Sequence, residues 1–475
     1  MPRVRRRQRD TIRMLSAPTR ANQSFEGEYV EFTQRLRRLW RHRAFRRLTL
    51  VRLFSQTGDG TVQIGMASYL LFSPQSATSA WAVAGVLALT MLPYSLVGPF
   101  VSLALDRFPR QRISLLVDTV RAICSVVLAM MIANHLTGAG SQVALMLLLL
   151  VMLSLNRFSL AGLSAGLAYT VDDDEYLDAS SIMPMIGPVG MIIGGGSGGA
   201  IRRFAADPLG IDGANALIFG VGALFFCLSV ATLWRIPRAG LGPDTPDHHG
   251  SAREVVAGLV DGFRHLMAHR PAWLAMATEV VVRLGYGLLM AFVIVIYRHH
   301  FFPNADQLNL AIFGIGIWFL VSGVGFALSG VISVPIANHL GVRYCIIAML
   351  VVMGVSQAVV GTVFWAPALV ANGFIIGLAG QSLKVQVDTV VQAHIADSHR
   401  GRVFTIYDVV YNVATVLGAV IGALLLAPDG VSPALTIGAG VFYLLAALAF
   451  TIGSHSLGNA TFNKGTRAVS PVEVP

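Results

Sequence analysis

Two acidic residues lie inside long apolar runs of the chain, where an ionisable side chain is energetically expensive. Asp59 lies about ten residues into the run 49–72, and Glu279 lies about seven residues into the run 272–297. A charged side chain at the centre of a membrane helix costs about 2.5–3.5 kcal/mol on insertion scales. Such a carboxyl group either exchanges a proton as the site opens to alternate sides, or it forms a structural ion pair. Arg283 follows Glu279 by four residues, on the same helical face, and can neutralise it.

Two further charge pairs stand at helical spacing inside apolar runs. Lys384 and Asp388 are four residues apart within 366–391. They predict either a contact with substrate or a lysine that reaches to the membrane interface. Asp118 and Arg121 are three residues apart, and we interpret this pair as part of a gate structure.

The elements that position these residues are membrane-spanning helices. The chain has 475 residues, of which 55% are hydrophobic and 13% charged, and its mean hydropathy is +0.66. Soluble domains carry about 25% charged residues. Each apolar run has about 20 residues, enough to cross a hydrocarbon core of about 30 Å. The spacing predicts twelve spans, at 49–72, 80–105, 112–134, 142–170, 182–201, 213–235, 272–297, 309–336, 343–363, 366–391, 403–426 and 433–454.

The spans divide into two sets of six, separated by a Pro/Gly-rich linker. We predict five regions: a basic arm with an interfacial helix, an N-terminal bundle, a linker, a C-terminal bundle and a tail, at 1–48, 49–236, 237–271, 272–454 and 455–475. An even number of spans places both termini on one side of the membrane. The arginine-rich arm predicts that this side is the cytoplasm.

The linker carries its own helix signal. Ser251 and Glu254 form a capping box, and the apolar residues from Val255 to Met267 follow at helical spacing. These features predict an amphipathic helix along the inner face of the membrane. The net charge of +10 fits this topology and attraction to anionic lipid, and we expect no nucleic-acid partner.

A charged turn joins two apolar runs between 98 and 121. Its charged residues are Asp106, Arg107, Arg110 and Arg112, and the motif resembles the loop between spans two and three of the major facilitator superfamily, roughly G-x-x-x-D-R-x-G-R-R. The sequence departs from it at Ser102 and Pro109, which replace glycines.

The efflux-type branch of that superfamily, with its drug and siderophore exporters, is the most similar, because Asp118 and Arg121 supply its following D-x-x-R pair. The resemblance implies an all-α polytopic fold of two pseudo-symmetric six-helix bundles, covering about 45–455. It also implies that the Asp106 turn is a cytoplasmic gate, with partners at Arg400, Arg402 and Asp408.

Two more features support the resemblance. The segment Gly330–Arg343 stands in the second half where the Asp106 motif stands in the first, as an internal repeat requires. Arg157, before Gly162, corresponds to an arginine that many superfamily antiporters carry, and this makes it a transport candidate.

A glycine-rich stretch begins at 187. Gly187, Pro188, Gly190, Gly194 and Gly198 fall within it, and no Lys-Ser/Thr pair closes it as a phosphate-binding loop requires. Small residues four apart let membrane helices approach closely, so we interpret the stretch as a packing face. Efflux-type members carry a similar motif associated with antiport.

No catalytic or metal-binding constellation is evident from the sequence. The paired histidines at 248–249 and 299–300 lack acidic or cysteine partners at metal spacing, and the acidic cluster Asp172–Asp178 has no histidine near it. We therefore expect no enzyme activity, no metal and no cofactor. Cys124, Cys227 and Cys345 are interpreted as packing residues.

These features predict a secondary active transporter in a bacterial plasma membrane. Lys at only two positions, beside abundant Arg, is typical of a GC-rich bacterial genome. We expect a monomer that exports a hydrophobic or amphiphilic small molecule by alternating access and proton antiport, with the proton gradient as its energy source. The alternatives are a lipid or glycolipid flippase, a siderophore or metal-chelate exporter, and a non-transporting membrane scaffold or sensor.

Overall fold

The structure is a computed structural model that describes residues 37–72, 79–136, 138–172, 175–242, 251–304 and 307–464. The regular structure of these residues is helical. The helices are α1 (Arg43–Phe72), α2 (Ala80–Val97), α3 (Val101–Arg107), α4 (Arg110–Ala133), α5 (Ala139–Gly166), α6 (Tyr176–Trp234), α7 (Ala252–Ala268), α8 (Arg270–Ile296), α9 (Leu308–Leu340), α10 (Val342–Val359), α11 (Ala366–His394), α12 (Asp397–Leu425), α13 (Pro433–His455) and α14 (Gly458–Phe462). Short 3₁₀ turns at Gly98–Phe100 and Leu167–Tyr169 and a π-turn at Tyr297–Phe301 extend α2, α5 and α8.

Among the described residues, ten helices are long and apolar enough to cross a membrane, which supports the predicted all-α polytopic fold. The helix α1, which contains the predicted span 49–72, is not among the ten because its middle turns are polar. Those polar side chains are buried rather than solvated: Ser55, Thr57 and Asp59 are at most 4% exposed. A helix that buries its polar side chains inside the bundle can cross a membrane although its average hydropathy is low.

The predicted spans 182–201 and 213–235 both lie within α6, which is two helices joined at a kink. The kink is at Gly210, between the two predicted spans, where φ is +73° and the backbone leaves the helical conformation. Glycine tolerates this left-handed conformation because it has no Cβ. The predicted span 80–105 is likewise interrupted, by the 3₁₀ turn at Gly98–Phe100.

The helices pack as two sets. In the first set α6 packs along α1 and α4, and in the second α12 packs along α8 and α9 along α11. The sets meet where α2 contacts α12 and α8. Val83, Ala84 and Leu87 of α2 are buried in the apolar core of the second set, so α2 joins the two bundles.

The glycine stretch of α6 faces α1, where we predicted a packing role. A Cβ on Gly190 would lie 2.9 Å from the backbone oxygen of Leu53, and one on Gly194 would collide with the backbone oxygen of Thr57. A Cβ on Gly198 would lie 3.0 Å from Ile64, and one on Gly187 3.7 Å from Arg52. The stripe therefore lets two backbones approach closely, as small residues do in membranes.

The predicted linker helix corresponds to α7. Its N-cap is Ser251, whose Oγ accepts from the Glu254 backbone N–H at 3.2 Å. Gly258 and Gly262 lie against Arg402 of α12. The opposite stripe, Val256, Val260, Phe263 and Met267, is about half exposed.

Residues 43–48 of the predicted arm belong to α1, and the predicted tail carries α14. Residues 1–36 of the arm lie outside the described residues, and after a turn at 40–42 the chain enters α1 directly, so no separate interfacial helix covers 43–48. In the tail, Phe462 is fully buried, and Asn463 accepts from the Val342 backbone N–H at 3.0 Å. We call the end of the bundles that carries the arm, α7 and the 106–112 turn the arm side.

Candidate functional site

The first bundle contains a buried cluster of charges. Arg121 forms an ion pair with Asp59 and, through NH1, a second one with Asp118 Oδ1 at 2.9 Å. Asp118 and Arg121 are fully buried, and Asp59 is 4% exposed. Ser229 donates to Asp118 Oδ2 at 2.6 Å, and Ser55 accepts from Arg121 at 3.0 Å. We refer to Asp59, Asp118 and Arg121 as the N-cluster.

The N-cluster joins residues that the sequence left apart. Arg121 of α4, which the sequence paired with Asp118 alone, also pairs with Asp59 of α1. Gln56 donates to Asp59 Oδ2 at 3.0 Å, so both carboxylate oxygens of Asp59 are bonded. The guanidinium of Arg121 also lies 4.2 Å from the centre of the Phe226 ring. Polar residues on three helices thus close around one arginine.

The second bundle contains a different arrangement, which we call the C-cluster: Glu279, Arg283, Lys384 and Asp388. Arg283 Nε donates to Glu279 Oε1 at 2.7 Å, within α8. The same guanidinium lies 3.9 Å from the centre of the Tyr411 ring of α12. Glu279 is fully buried, and its Oε2 atom has no hydrogen-bond partner.

The other half of the C-cluster reaches an accessible space. Lys384 Nζ donates to Asp388 Oδ2 at 2.7 Å, and these side chains are 26% and 28% exposed. Both charges are close enough to Glu279 to interact with its carboxyl group electrostatically. Tyr407 of α12 lies beside both halves of the C-cluster. The centre of its ring is 5.3 Å from Lys384 Nζ, and its hydroxyl group interacts electrostatically with Glu279 and Asp388. No pattern in the sequence indicates Tyr407 or Tyr411, which are spaced like ordinary aromatic residues of an apolar run.

An ion pair between α5 and α12 joins the two bundles. Arg157 of α5 donates to Asp408 Oδ2 of α12 at 3.0 Å, and the side chains are 29% and 57% exposed. A Cβ on Gly98 would lie 3.3 Å from Arg157 Nε, so this glycine makes room for the arginine. We call this pair the inter-bundle bridge. It combines a predicted transport residue with a predicted gate partner, which the sequence did not connect.

The charged turn is fixed to its own bundle through Arg110. This side chain donates to the backbone oxygens of Ala165 at 3.0 Å and Leu241 at 3.4 Å. Arg107 and Arg112 are exposed. Asp106 lies in α3, but its side chain is outside the described part of the structure. The gate role of Asp106 therefore stays a prediction.

The three predicted gate partners contact other residues. Arg400 pairs with Asp397 of its own helix at 2.6 Å, and Arg402 pairs with Asp261 of α7 at 2.9 Å. Asp408 belongs to the inter-bundle bridge. In these contacts α12 is tied to the linker helix and to α5.

Two cavities accompany these charges. The larger, about 600 Å³, lies between α2 and α5 and has an almost entirely apolar wall that includes Trp81, Leu89, Leu92, Met146 and Leu150. Its polar end is Ser154, one helical turn before Arg157 of the inter-bundle bridge. The smaller, about 120 Å³, lies between α8, α9 and α11 against Arg283 of the C-cluster.

The acidic segment after α5 is not free of histidine, contrary to the sequence interpretation. His42, just before α1, places its Nε2 atom 2.6 Å from Glu175 Oε2 and 4.0 Å from Asp172 Oδ2. The two segments are far apart in the chain, so no local spacing could indicate this meeting.

Comparisons with known proteins agree with this architecture. The model of the Major Facilitator Superfamily matches residues 281–471. An uncharacterized MFS-type transporter of Mycobacterium tuberculosis (strain ATCC 25618 / H37Rv) is 30% identical over 414 residues, which cover 86% of this chain and 90% of the relative. An uncharacterized MFS-type transporter of Mycobacterium bovis matches with the same values. The chain therefore belongs to the major facilitator superfamily and is a membrane transporter of that type.

Solved structures of this fold are similar in shape but remote in sequence. The crystal structure of the nucleoside transporter NupG superposes with a TM-score of 0.60 at 12% identity, over 86% of this chain and 99% of that one. The POT family transporter PepTSo gives 0.60 at 11% identity, over 87% and 98%. At this identity the likeness concerns the fold alone, and the substrate must be argued from the chain's own residues.

Proposed function

We propose that this transporter exports a hydrophobic or amphiphilic small molecule across a bacterial plasma membrane, with the arm side in the cytoplasm. The observation that carries the proposal is the apolar cavity between α2 and α5, whose far end lies one turn from the inter-bundle bridge. Apolar walls supply affinity for a lipophilic body, and a few polar groups fix its orientation. An ion pair at the end of such a cavity suits cargo with a polar or charged head.

Alternating access follows from the position of the inter-bundle bridge. Arg157 and Asp408 lie on different bundles, and both are partly exposed, so the pair can separate when the bundles rock apart. The 106–112 turn keeps its proposed role as a second, cytoplasmic gate. The transporter acts as a monomer in this scheme, since each bundle supplies one partner of the bridge.

Proton antiport is assigned to Glu279 in preference to Asp59. Both oxygens of Asp59 are bonded by Arg121 and Gln56, whereas Glu279 has one oxygen without a partner. The partly exposed pair of Lys384 and Asp388 acts on Glu279 from the accessible side. A buried carboxyl group with a free oxygen and a polar approach can gain and lose a proton during the cycle.

Proteoliposomes containing the purified protein test this function. A lipophilic cationic dye is followed with and without an imposed pH gradient, in wild type and in Glu279→Gln. We expect gradient-driven dye movement in wild type and at least a tenfold lower rate in the variant, with Glu254→Gln, a change at the exposed cap of α7, as control. Equal rates with and without the gradient would contradict antiport, and equal rates in Glu279→Gln would contradict the assignment.

A lipid cargo is the second candidate. Trp81 and Met146, which line the larger cavity, are 55% and 48% exposed, so its wall is open along part of its length. A lipid could enter such an opening sideways. If the dye is not moved, translocation of a fluorescent phospholipid in the same proteoliposomes decides between the two cargoes.

A further inference from the structure

Two segments of the first bundle bring three metal-ligating side chains together on the arm side. His42 immediately precedes α1, whereas Asp172 and Glu175 connect α5 with α6. Apolar packing holds the segments in place, because Leu39 and Phe45 on either side of His42 are buried in one core with Leu167 of the α5 end. The meeting is thus fixed by the fold.

The donor atoms are close enough to share one ion. His42 Nε2, Glu175 Oε2 and one Asp172 carboxylate oxygen all lie within 4.8 Å of one another. Zinc bonds of about 2.0–2.2 Å place tetrahedral ligand atoms about 3.4 Å apart. The separations of 2.6 Å and 4.0 Å from His42 Nε2 to the two carboxylates bracket that value.

The Glu175 carboxylate gives a second, independent observation. Its side chain is 8% exposed, and His42 Nε2 lies 2.6 Å from its buried Oε2 atom without forming a hydrogen bond. A buried carboxylate is costly unless a positive charge balances it. Either a protonated His42 or a cation bound together with a neutral His42 can supply that charge. Arg38 does not supply that balance, because its Nε atom lies 4.0 Å from the other oxygen and its side chain is 61% exposed.

We propose that His42, Asp172 and Glu175 bind a divalent transition-metal cation of the zinc class. One imidazole nitrogen and two carboxylate oxygens suit zinc, with water in the fourth position. The three residues belong to neither charge cluster, and the proposal is independent of the cargo. The bound ion ties the arm segment to the α5–α6 connection on the arm side.

Metal binding to the full-length protein in detergent tests the site. After treatment with EDTA and removal of the chelator, Zn²⁺ binding is measured by isothermal titration calorimetry, and the absorption of the Co²⁺ form reports on tetrahedral coordination. We expect one Zn²⁺ per chain in wild type. Binding should weaken at least tenfold in Glu175→Gln and in His42→Gln. If His42→Gln is not obtained folded, Asp172→Asn replaces it, since that side chain is 76% exposed.

The chain offers a matched control at the opposite end of the bundle. His135 Nδ1 pairs with Asp212 Oδ2 at 2.9 Å, a histidine with a single carboxylate. The variant His135→Gln should bind Zn²⁺ as wild type does. The proposal is overturned if wild type binds no Zn²⁺, which would leave an ion pair only, or if all variants bind it equally.

Discussion

The two bundles solve the same problem, a charge inside a membrane helix, in opposite ways. The N-cluster gathers two carboxylates around one arginine, and all three side chains are at most 5% exposed. The C-cluster balances two acids with two bases, but its Lys384–Asp388 half is more than a quarter exposed, and a glutamate oxygen remains without a hydrogen bond. One cluster is closed and the other is open on one side.

The difference separates structure from transport chemistry. If the buried arginine moved away, both carboxylates would stay buried without a counter-charge. The N-cluster therefore fixes α1, α4 and α6 relative to one another. The C-cluster contacts α12 through the rings of Tyr407 and Tyr411. Because α12 also carries Asp408 of the inter-bundle bridge, we expect a movement between the bundles to reach the C-cluster through this helix.

The largest effect is expected from Arg121→Met. Methionine leaves Asp59 and Asp118 buried without a cation, and breaking a buried pair in this way costs about 3–5 kcal/mol. The apparent melting temperature of the detergent-solubilised protein should fall sharply, as measured by fluorescence-detected size-exclusion chromatography after heating.

Two control variants test whether the loss of stability is specific to Arg121. Arg112→Met removes an exposed arginine of the same helix and should melt as wild type does. Glu279→Gln should melt closer to wild type than Arg121→Met, because Arg283 keeps its contact with the Tyr411 ring. An Arg121→Met protein that melts with wild type would show that the N-cluster is no more structural than the C-cluster.

The next largest effect is expected where the glycine stripe of α6 packs against α1, beside the N-cluster. In Gly194→Ala the new Cβ meets the backbone oxygen of Thr57, whereas in Gly196→Ala it meets no atom within 4 Å. Overpacking costs about 1–3 kcal/mol, but alanine in an open helical position is about 1 kcal/mol better than glycine. Melting temperatures should therefore fall for Gly194→Ala and hold or rise for Gly196→Ala. Equal shifts would mean that α6 does not lie against α1 through this stripe.

A smaller effect on stability is expected where the bundles meet. The single changes Arg157→Asp and Asp408→Arg should each cost at most about 1 kcal/mol, the range of exposed ion pairs. Their effect on dye transport should be much larger, since each places like charges across the gate. The double exchange restores opposite charges and should recover part of the rate. If the double variant transports no better than the single variants, the bridge is not part of the gate.

The sequence contained most of the fold and the residues of both clusters, but not the contacts between helices that assemble them. Apolar runs and the charged turn were enough for the helical architecture, because the bilayer enforces that pattern on each span separately. Within a helix, spacing also indicated the pairs Glu279–Arg283 and Lys384–Asp388, both of which the structure forms. Contacts between segments far apart in the chain could not be predicted: Asp59 with Arg121, Arg157 with Asp408, and His42 with Glu175. Each depends on helix rotation and packing, which no local pattern encodes.

The smallest effect concerns the arm side of the second bundle, where α7 lies on α12. The His265 ring stacks on His399 of α12 at 4.2 Å and lies 4.3 Å from His269. Asp261 completes the contact by accepting from Arg402 at 2.9 Å and lying 3.1 Å from His399 Nε2. Loss of solvation and then the neighbouring imidazoles lower the pKa of His265 below its ordinary value, against the opposing charge of Asp261.

A lowered pKa means that the packed state favours the neutral ring. The contribution to stability is complete above the ordinary histidine pKa of about 6.5 and is lost as the pH falls through the lower value of the folded state. Hydrogen exchange of α7, corrected for the intrinsic effect of pH, should therefore be faster at pH 5.5 than at pH 8. In His265→Asn that pH dependence should shrink, because the titrating ring is gone. Unchanged protection of α7 across this range in wild type would mean that the imidazole stack does not hold the linker helix, and that its attachment rests on Asp261 and Arg402.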